Sequence, residues 1–143
     1  MPISDKDREL LAILRENCRL PIASIAKRLR ISRTTAQTRL EKLEREGIIT
    51  GYGVRLSDQY LSTLVRAHIL ITIAPKALES VTQGLKDIQQ VQSVFSVNGT
   101  FDLIAIVQAP DVSELDTVID KIGALKGVER TLTSIILSTR VAR

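Results

Sequence analysis

Between Pro21 and Leu43 the apolar residues fall into two short helical stripes with almost no chain between them. Ile22, Ile25, Ala26 and Leu29 recur at the spacing of one helix face, and Ala36, Leu40 and Leu43 repeat the pattern. Pro21 suits the first turn of the earlier helix, and Ser32 is the expected N-cap of the later one. Ile31 lies in the turn. The small residues Ala26 and Ala36 let two such helices cross closely, with Ile31 and Leu40 sealing the corner. The pattern is that of a helix-turn-helix. Arg30 occupies the turn position where glycine is common because φ can be positive there, so an altered or mildly strained turn is expected.

The chemistry of this stretch matches its geometry. From Asn17 to Leu40 there are six basic residues (Arg19, Lys27, Arg28, Arg30, Arg33 and Arg39) and no acidic one; Glu16 and Glu41 bracket the run. Charge runs are ordinarily solvated faces, so the inference rests on the helix-turn-helix beneath the charge. A short basic helix with hydroxyl and amide groups suits a phosphate backbone and base edges. Net charge is placed accordingly. Residues 1–60 carry 12 basic and 8 acidic side chains, whereas the remainder balances at 8 and 8, so a polyanion is expected to meet the first part.

The first helix is expected to start near Ser4 or Asp5, with Leu10, Leu11, Ile13 and Leu14 turned inward, and the third to stop at Gly47. Ile48 to Leu56 reads as a short strand with loose glycines, a small wing or an arm, and Ser57 to Thr63 as a linker. The expected division is a DNA-binding domain over 1–50, a strand and linker over 51–63, and a second domain over 64–143.

The second domain alternates strand and helix. Strands are expected over Leu64–Thr72, Val91–Val97, Phe101–Gln108 and Val128–Ser138. One helix starts at Pro75 with Leu78, Val81, Leu85 and Ile88 on its inner face. A second starts at a cap on Asp111, with Val112, Leu115, Val118, Ile119 and Ile122 inward. Asn98-Gly99 signals a type I′ hairpin. The order βαββαβ predicts a ferredoxin-like α+β domain. Ile104 and Ile106 face away from Leu103, Ala105 and Val107, and Ile135 to Leu137 are apolar on both sides. Two helices cover only one face of such a sheet, which predicts a homodimer through the other.

Other classes find little support. Cys18 is the single cysteine, which excludes an internal disulfide or a cysteine-based zinc site and suits a reducing compartment. The charged segment Met1 to Arg19 lacks the apolar core of a signal peptide, and no apolar run has the length of a membrane helix. A cytoplasmic protein without membrane contact is expected. His68 is the only histidine; no nucleophile–base pair, metal cluster or phosphate-binding glycine loop is evident, so neither a cofactor nor an enzyme is expected.

The whole chain resembles the Lrp/AsnC, or feast/famine, family of transcription regulators. The marks are Asp7 to Leu11, Ile25 to Leu29, Ile31-Ser32, Arg39 to Glu44 leading to Gly47-Ile48-Ile49, and Val97 to Asp102, which is similar to the family's glycine-x-x-aspartate loop. The resemblance implies homodimers that often build octameric discs, binding to double-stranded promoter DNA, and in many members a free amino acid held between sensor domains.

Arg33 and Gln37 are the expected base readers, since both can form bidentate hydrogen bonds, with Thr34 and Thr38 beside them. Ser32 and Thr35 are expected to meet a phosphate at the helix start, and Lys27, Arg28 and Arg39 to position the backbone without reading sequence. Effector contacts are expected from Asn98, Gly99, Thr100, Phe101 and Asp102. The Asp102 carboxylate is suited to an ammonium group and the turn N–H groups to a carboxylate. Thr131 and Thr133 share one strand face and match a threonine-x-threonine common in the family. Two other readings compete. Sirohaem decarboxylases resemble the same architecture, but a haem-like substrate needs a basic, histidine-bearing cavity that a neutral second domain with one histidine does not offer. An RNA-binding module of βαββαβ order needs surface aromatics, and Phe95 and Phe101 are the only ones in these strands.

Overall fold

The computed structural model describes residues 3–143. The chain divides into two compact units, Met1–Arg55 and Leu56–Arg143.

The first unit holds α1 (Asp5–Glu16), α2 (Ile22–Leu29) and α3 (Arg33–Arg45). Ser4 caps α1 through a reciprocal box. Its hydroxyl accepts from Asp7 N–H, and its own N–H donates to the Asp7 carboxylate. Leu10, Ile13 and Leu14 of α1 pack with Ile25, Leu29 and Leu43 into one core, and Ala26 and Ala36 are buried as the crossing requires. Pro21 is the N-cap residue of α2. Near its end, Ala26 O and Lys27 O accept from the turn and Leu29 O accepts from the Lys6 ammonium at 3.0 Å.

Arg30 adopts the left-handed conformation, φ 57° and ψ 46°, and its side chain is exposed. An L-residue there is destabilised by about 1–2 kcal/mol, and glycine is not. Arg30→Gly is therefore expected to raise stability by about 0.5–1 kcal/mol, after glycine's greater freedom in the unfolded chain is subtracted. Thermal unfolding of the full chain checks this; a lowered midpoint would contradict it.

Gly47, at φ +73°, ends α3, and Ile48 N–H and Ile49 N–H both turn back to Leu43 O. The expected strand over Ile48 to Leu56 is not formed. Residues 51–56 run exposed and pair with no strand among the described residues, because extended backbone needs a neighbouring ladder to be a strand. Nor is Ser57 to Thr63 a plain linker. Ser57 accepts from Tyr60 N–H and starts a four-residue helix, α4 (Asp58–Leu61).

The second unit continues with β1 (Val65–Ile73), α5 (Leu78–Lys86), β2 (Val91–Ser96), β3 (Leu103–Ala109), α6 (Val112–Gly123) and β4 (Val128–Ile136). The antiparallel sheet has the order β2-β3-β1-β4. This is the α+β, ferredoxin-like order. Ala67, Ile69 and Ile71 of β1 and Leu103, Ala105 and Val107 of β3 pack with Val81 and Leu85 of α5 and with Leu115, Val118 and Ile122 of α6. Asp111 caps α6 by accepting from Glu114 N–H at 2.8 Å.

Some local expectations need correction. Pro75 does not begin α5. Ala74 to Ala77 form a turn closed by Ala77 N–H to Ala74 O, with Lys76 at φ 66°, and the helix starts at Leu78. Leu78 and Val112 are exposed, since each stands in the first turn of its helix, where the chain has not yet reached the sheet. Phe101 precedes β3 rather than opening it. Asn98-Gly99 is no type I′ turn. Gly99 has φ +128° but Asn98 lacks the positive φ that such a turn requires, and Val97 N–H to Asp102 O closes a longer loop.

On the face without helices, Leu70 lies opposite Ile104 and Leu132, His68 opposite Ile106 and Ser134, and Arg66 opposite Gln108 and Ile136. Phe95 continues this face beside Ile104. Phe95 and Leu132 are 53% and 54% exposed, a large apolar surface for one chain to leave open. No helix among the described residues is long and apolar enough to cross a membrane.

Candidate nucleic-acid interface and sensor loop

Helix α3 is held from within by Ala36 and Leu43, which leaves Arg33, Thr34, Gln37 and Thr38 exposed. Its start is fixed by Ser32, whose hydroxyl accepts from Thr35 N–H at 3.1 Å and lies 2.8 Å from the Thr35 hydroxyl. Ser32 and Thr35 are thus engaged with each other at the cap. Thr38 donates to Thr34 O, and Gln37 donates to Glu41. The Arg33 guanidinium makes no ion pair or side-chain hydrogen bond with the described residues. Lys27 is exposed on α2, and Arg28 lies 3.6 Å from Glu16 in a solvent-exposed pair that is worth little.

Arg39 departs from its expected place on the phosphate-facing side. Its guanidinium turns to α1, where Nη1 lies 3.2 Å from Asp7 Oδ1 and 3.2 Å from the Ser4 hydroxyl. The Asp7 side chain is 6% exposed and that of Arg39 32%, so the pair belongs to the core edge. Burial alone raises the pKa of Asp7. The hydrogen bonds from Ser4 and the Arg39 charge outweigh it, and the carboxyl is held below its ordinary value of 3.8. The spacing of residues 32 apart in sequence carries no local sign of this contact.

The loop residues expected to meet an effector lie at one end of the sheet. Asp102 N–H donates to Ile71 O, and Asp102 Oδ2 accepts from Ile73 N–H at 2.9 Å. One carboxylate oxygen is therefore committed to the end of β1, and Oδ1 has no hydrogen-bond partner among the described residues. On the other flank of β1, Thr131 stands opposite Ile71 and Thr133 opposite Ile69, both half-buried and on the helix-covered side. Arg130 sits with its guanidinium 5.1 Å from the Phe101 ring centroid, a cation–π contact joining β4 to the loop. Asn98, Gly99 and Thr100 are exposed at the loop tip. The structure keeps Phe101 and Asp102 together at the end of β1 and adds Arg130, which sequence reasoning missed, while Thr131 and Thr133 face the helix-covered side of β4, away from the Arg130–Phe101 contact. The signal was a lone arginine beside the threonine-x-threonine. Among the described residues no cluster of His, Cys, Asp or Glu could hold a metal ion.

Residues 3–50 match the winged helix-turn-helix DNA-binding family, and residues 66–143 match the Lrp/AsnC ligand binding domain. The second match alone spans more than half of the chain. This chain belongs to the Lrp/AsnC family. The regulator LysM of Sulfurisphaera tokodaii is 32% identical over 136 residues, covering 94% of this chain and 95% of that protein. LrpA of Pyrococcus horikoshii is likewise 32% identical, over 94% and 96%. Among solved structures, E. coli AsnC superposes with a TM-score of 0.87 at 28% identity, covering 100% of this chain and 97% of that one. A transcriptional regulator of Neisseria meningitidis in complex with L-methionine superposes at 0.85 and 25% identity, over 99% and 94%. As an Lrp/AsnC protein this chain is a DNA-binding transcriptional regulator and not an enzyme, which removes the decarboxylase alternative.

Proposed function

We propose that this Lrp/AsnC regulator reads specific promoter sequences as a homodimer and responds to a free amino acid held at its sensor loop. The observation that carries the reading is the build of α3. Its inner face is anchored, its start is capped by Ser32, and Arg33, Thr34, Gln37 and Thr38 are exposed, with Gln37 at the edge beside a cavity it lines with Leu14 and Ile25. Arg33 and Gln37 read base edges. Lys27 and Arg28 meet the backbone, Arg28 by exchanging its exposed partner Glu16 for a phosphate. Arg39 contributes by locking α3 to α1.

The open sheet face supports the dimer. Leu70, Ile104, Ile106, Phe95, Leu132 and Ile136 form an apolar patch that a second copy covers. Asp102 Oδ1 and Arg130 offer opposite charges at one end of the sheet, which suits a zwitterion. The L-methionine complex of the Neisseria meningitidis relative supports an amino acid as that zwitterion. Effector binding then biases the spacing of recognition helices, a coupling between two sites.

Fluorescence anisotropy on the protein's own upstream DNA against scrambled DNA, at fixed salt, tests the reading with and without a pool of the twenty amino acids. Preference for its own DNA that shifts with the pool is expected. Equal affinity for both DNAs, unmoved by the pool, would contradict it.

A further inference from the structure

We propose that Glu41 sets the hydrogen-bonding polarity of Gln37, so that Gln37 selects adenine over guanine in the major groove. Gln37 Nε2 lies 2.9 Å from Glu41 Oε1, one helical turn further along the exposed side of α3. An ionised carboxylate only accepts, so the amide nitrogen, never the amide oxygen, must face Glu41. One of the two amide hydrogens is thereby committed. The outward-facing end of Gln37 then presents a donor beside an acceptor.

The base edges differ in how they meet that arrangement. Adenine shows an N7 acceptor beside an N6 amino donor, which complements the remaining N–H and Oε1. Guanine shows two acceptors, N7 and O6, and one of them would face Oε1, acceptor against acceptor. An unconstrained glutamine can turn its NH2 group toward guanine; a glutamine held by Glu41 cannot do so without breaking that bond. Glu41 touches no base. It is a positioning residue acting through Gln37. The inference rests on the reading that α3 lies in the major groove with Gln37 against base edges.

Selection from a random duplex library at fixed salt tests it, using the full chain and three variants. Wild-type sites are expected to hold one position in each half-site where adenine is preferred over guanine by roughly ten-fold. Gln37→Ala removes that preference at that position only. Glu41→Lys reverses the polarity. The lysine donates to Gln37 Oε1 and frees both amide hydrogens for guanine, so the preference shifts toward guanine by about ten-fold. Glu41→Gln, which can donate or accept, brings the two bases close to parity. The ratio of bases selected by one variant does not depend on its overall charge, so the added lysine's general attraction to DNA does not enter. Circular dichroism confirms that each variant keeps its helices. If Gln37→Ala abolishes a preference while Glu41→Lys leaves the adenine-to-guanine ratio as in the wild type, Gln37 reads DNA but Glu41 does not direct it, and the proposal is overturned. If Gln37→Ala changes no position, Gln37 is no base reader, and the proposal falls with that reading.

Discussion

Gly127→Val is expected to destabilise the second unit by about 3–5 kcal/mol, enough to lower its unfolding midpoint by more than about 10 °C. Two separate causes act at this position. Gly127 has φ +101°, where side-chain-bearing residues are strained by about 1–3 kcal/mol. A Cβ there would also stand 2.7 Å from Ala77 Cβ, far inside normal contact, and a tight 3.1 Å from Val81 Cγ2, and Val81 is wholly buried. The strand start cannot retreat, because Gly127 O accepts from Ala74 N–H at 2.7 Å and ties β4 to the turn before α5. The two causes can be parted. Gly127→Ala is expected to be strongly destabilised, and adding Ala77→Gly should restore the part due to Ala77 while leaving the backbone share and the tighter approach to Val81. Thermal denaturation of the three proteins checks the account. A Gly127→Ala protein as stable as the wild type would contradict it.

Asp7→Ala is expected to destabilise the first unit by about 2–3 kcal/mol. The variant removes the capping box of α1 and leaves the Arg39 guanidinium, already carrying a buried Nε with no partner among the described residues, without its counter-charge. Breaking a fully buried ion pair costs about 3–5 kcal/mol; the partial exposure of Arg39 lets water recover some of that. The pair also gives the wild type a defined acid response. The folded-state pKa of Asp7 lies below the ordinary 3.8, so the folded protein binds this proton more weakly than the unfolded one. Its contribution is fully present above about pH 5 and is lost as the pH falls through the folded-state value. Urea unfolding between neutral and acid pH should show that loss in the wild type and a flatter acid limb in Asp7→Asn. Equal acid limbs would show that the pair is not formed.

These two predictions also show what sequence reveals and what it hides. Local rules were legible. The apolar stripes of Ile22 to Leu29 and Ala36 to Leu43, the caps at Ser32 and Asp111 and the positive φ of Arg30 all follow from short-range geometry, and the structure places them as expected; of the two caps open for α1, Ser4 and Asp5, it takes Ser4. The βαββαβ order was legible for the same reason: strand and helix periods differ. Features decided by distant partners were not. Arg39 looked like a backbone-positioning residue because nothing near it in sequence marks Asp7 as its partner. The Ile48 to Leu56 run has strand composition without a partner strand among the described residues, and Asn98-Gly99 has hairpin composition in a loop whose closure is set by Val97 and Asp102. Arg130 escaped notice because its role depends on Phe101 coming to lie beneath it.

The central claim is that α3 carries sequence specificity, and the ratio of affinities for a selected site and for scrambled DNA tests it most directly, measured at one salt concentration for the wild type and Arg33→Ala. The variant is expected to lose about 1–3 kcal/mol of specific binding, with a much smaller loss on scrambled DNA, so that the ratio falls by roughly 5- to 150-fold. A ratio equal to that of the wild type would show that Arg33 only adds charge, and would contradict α3 as the element that reads the sequence.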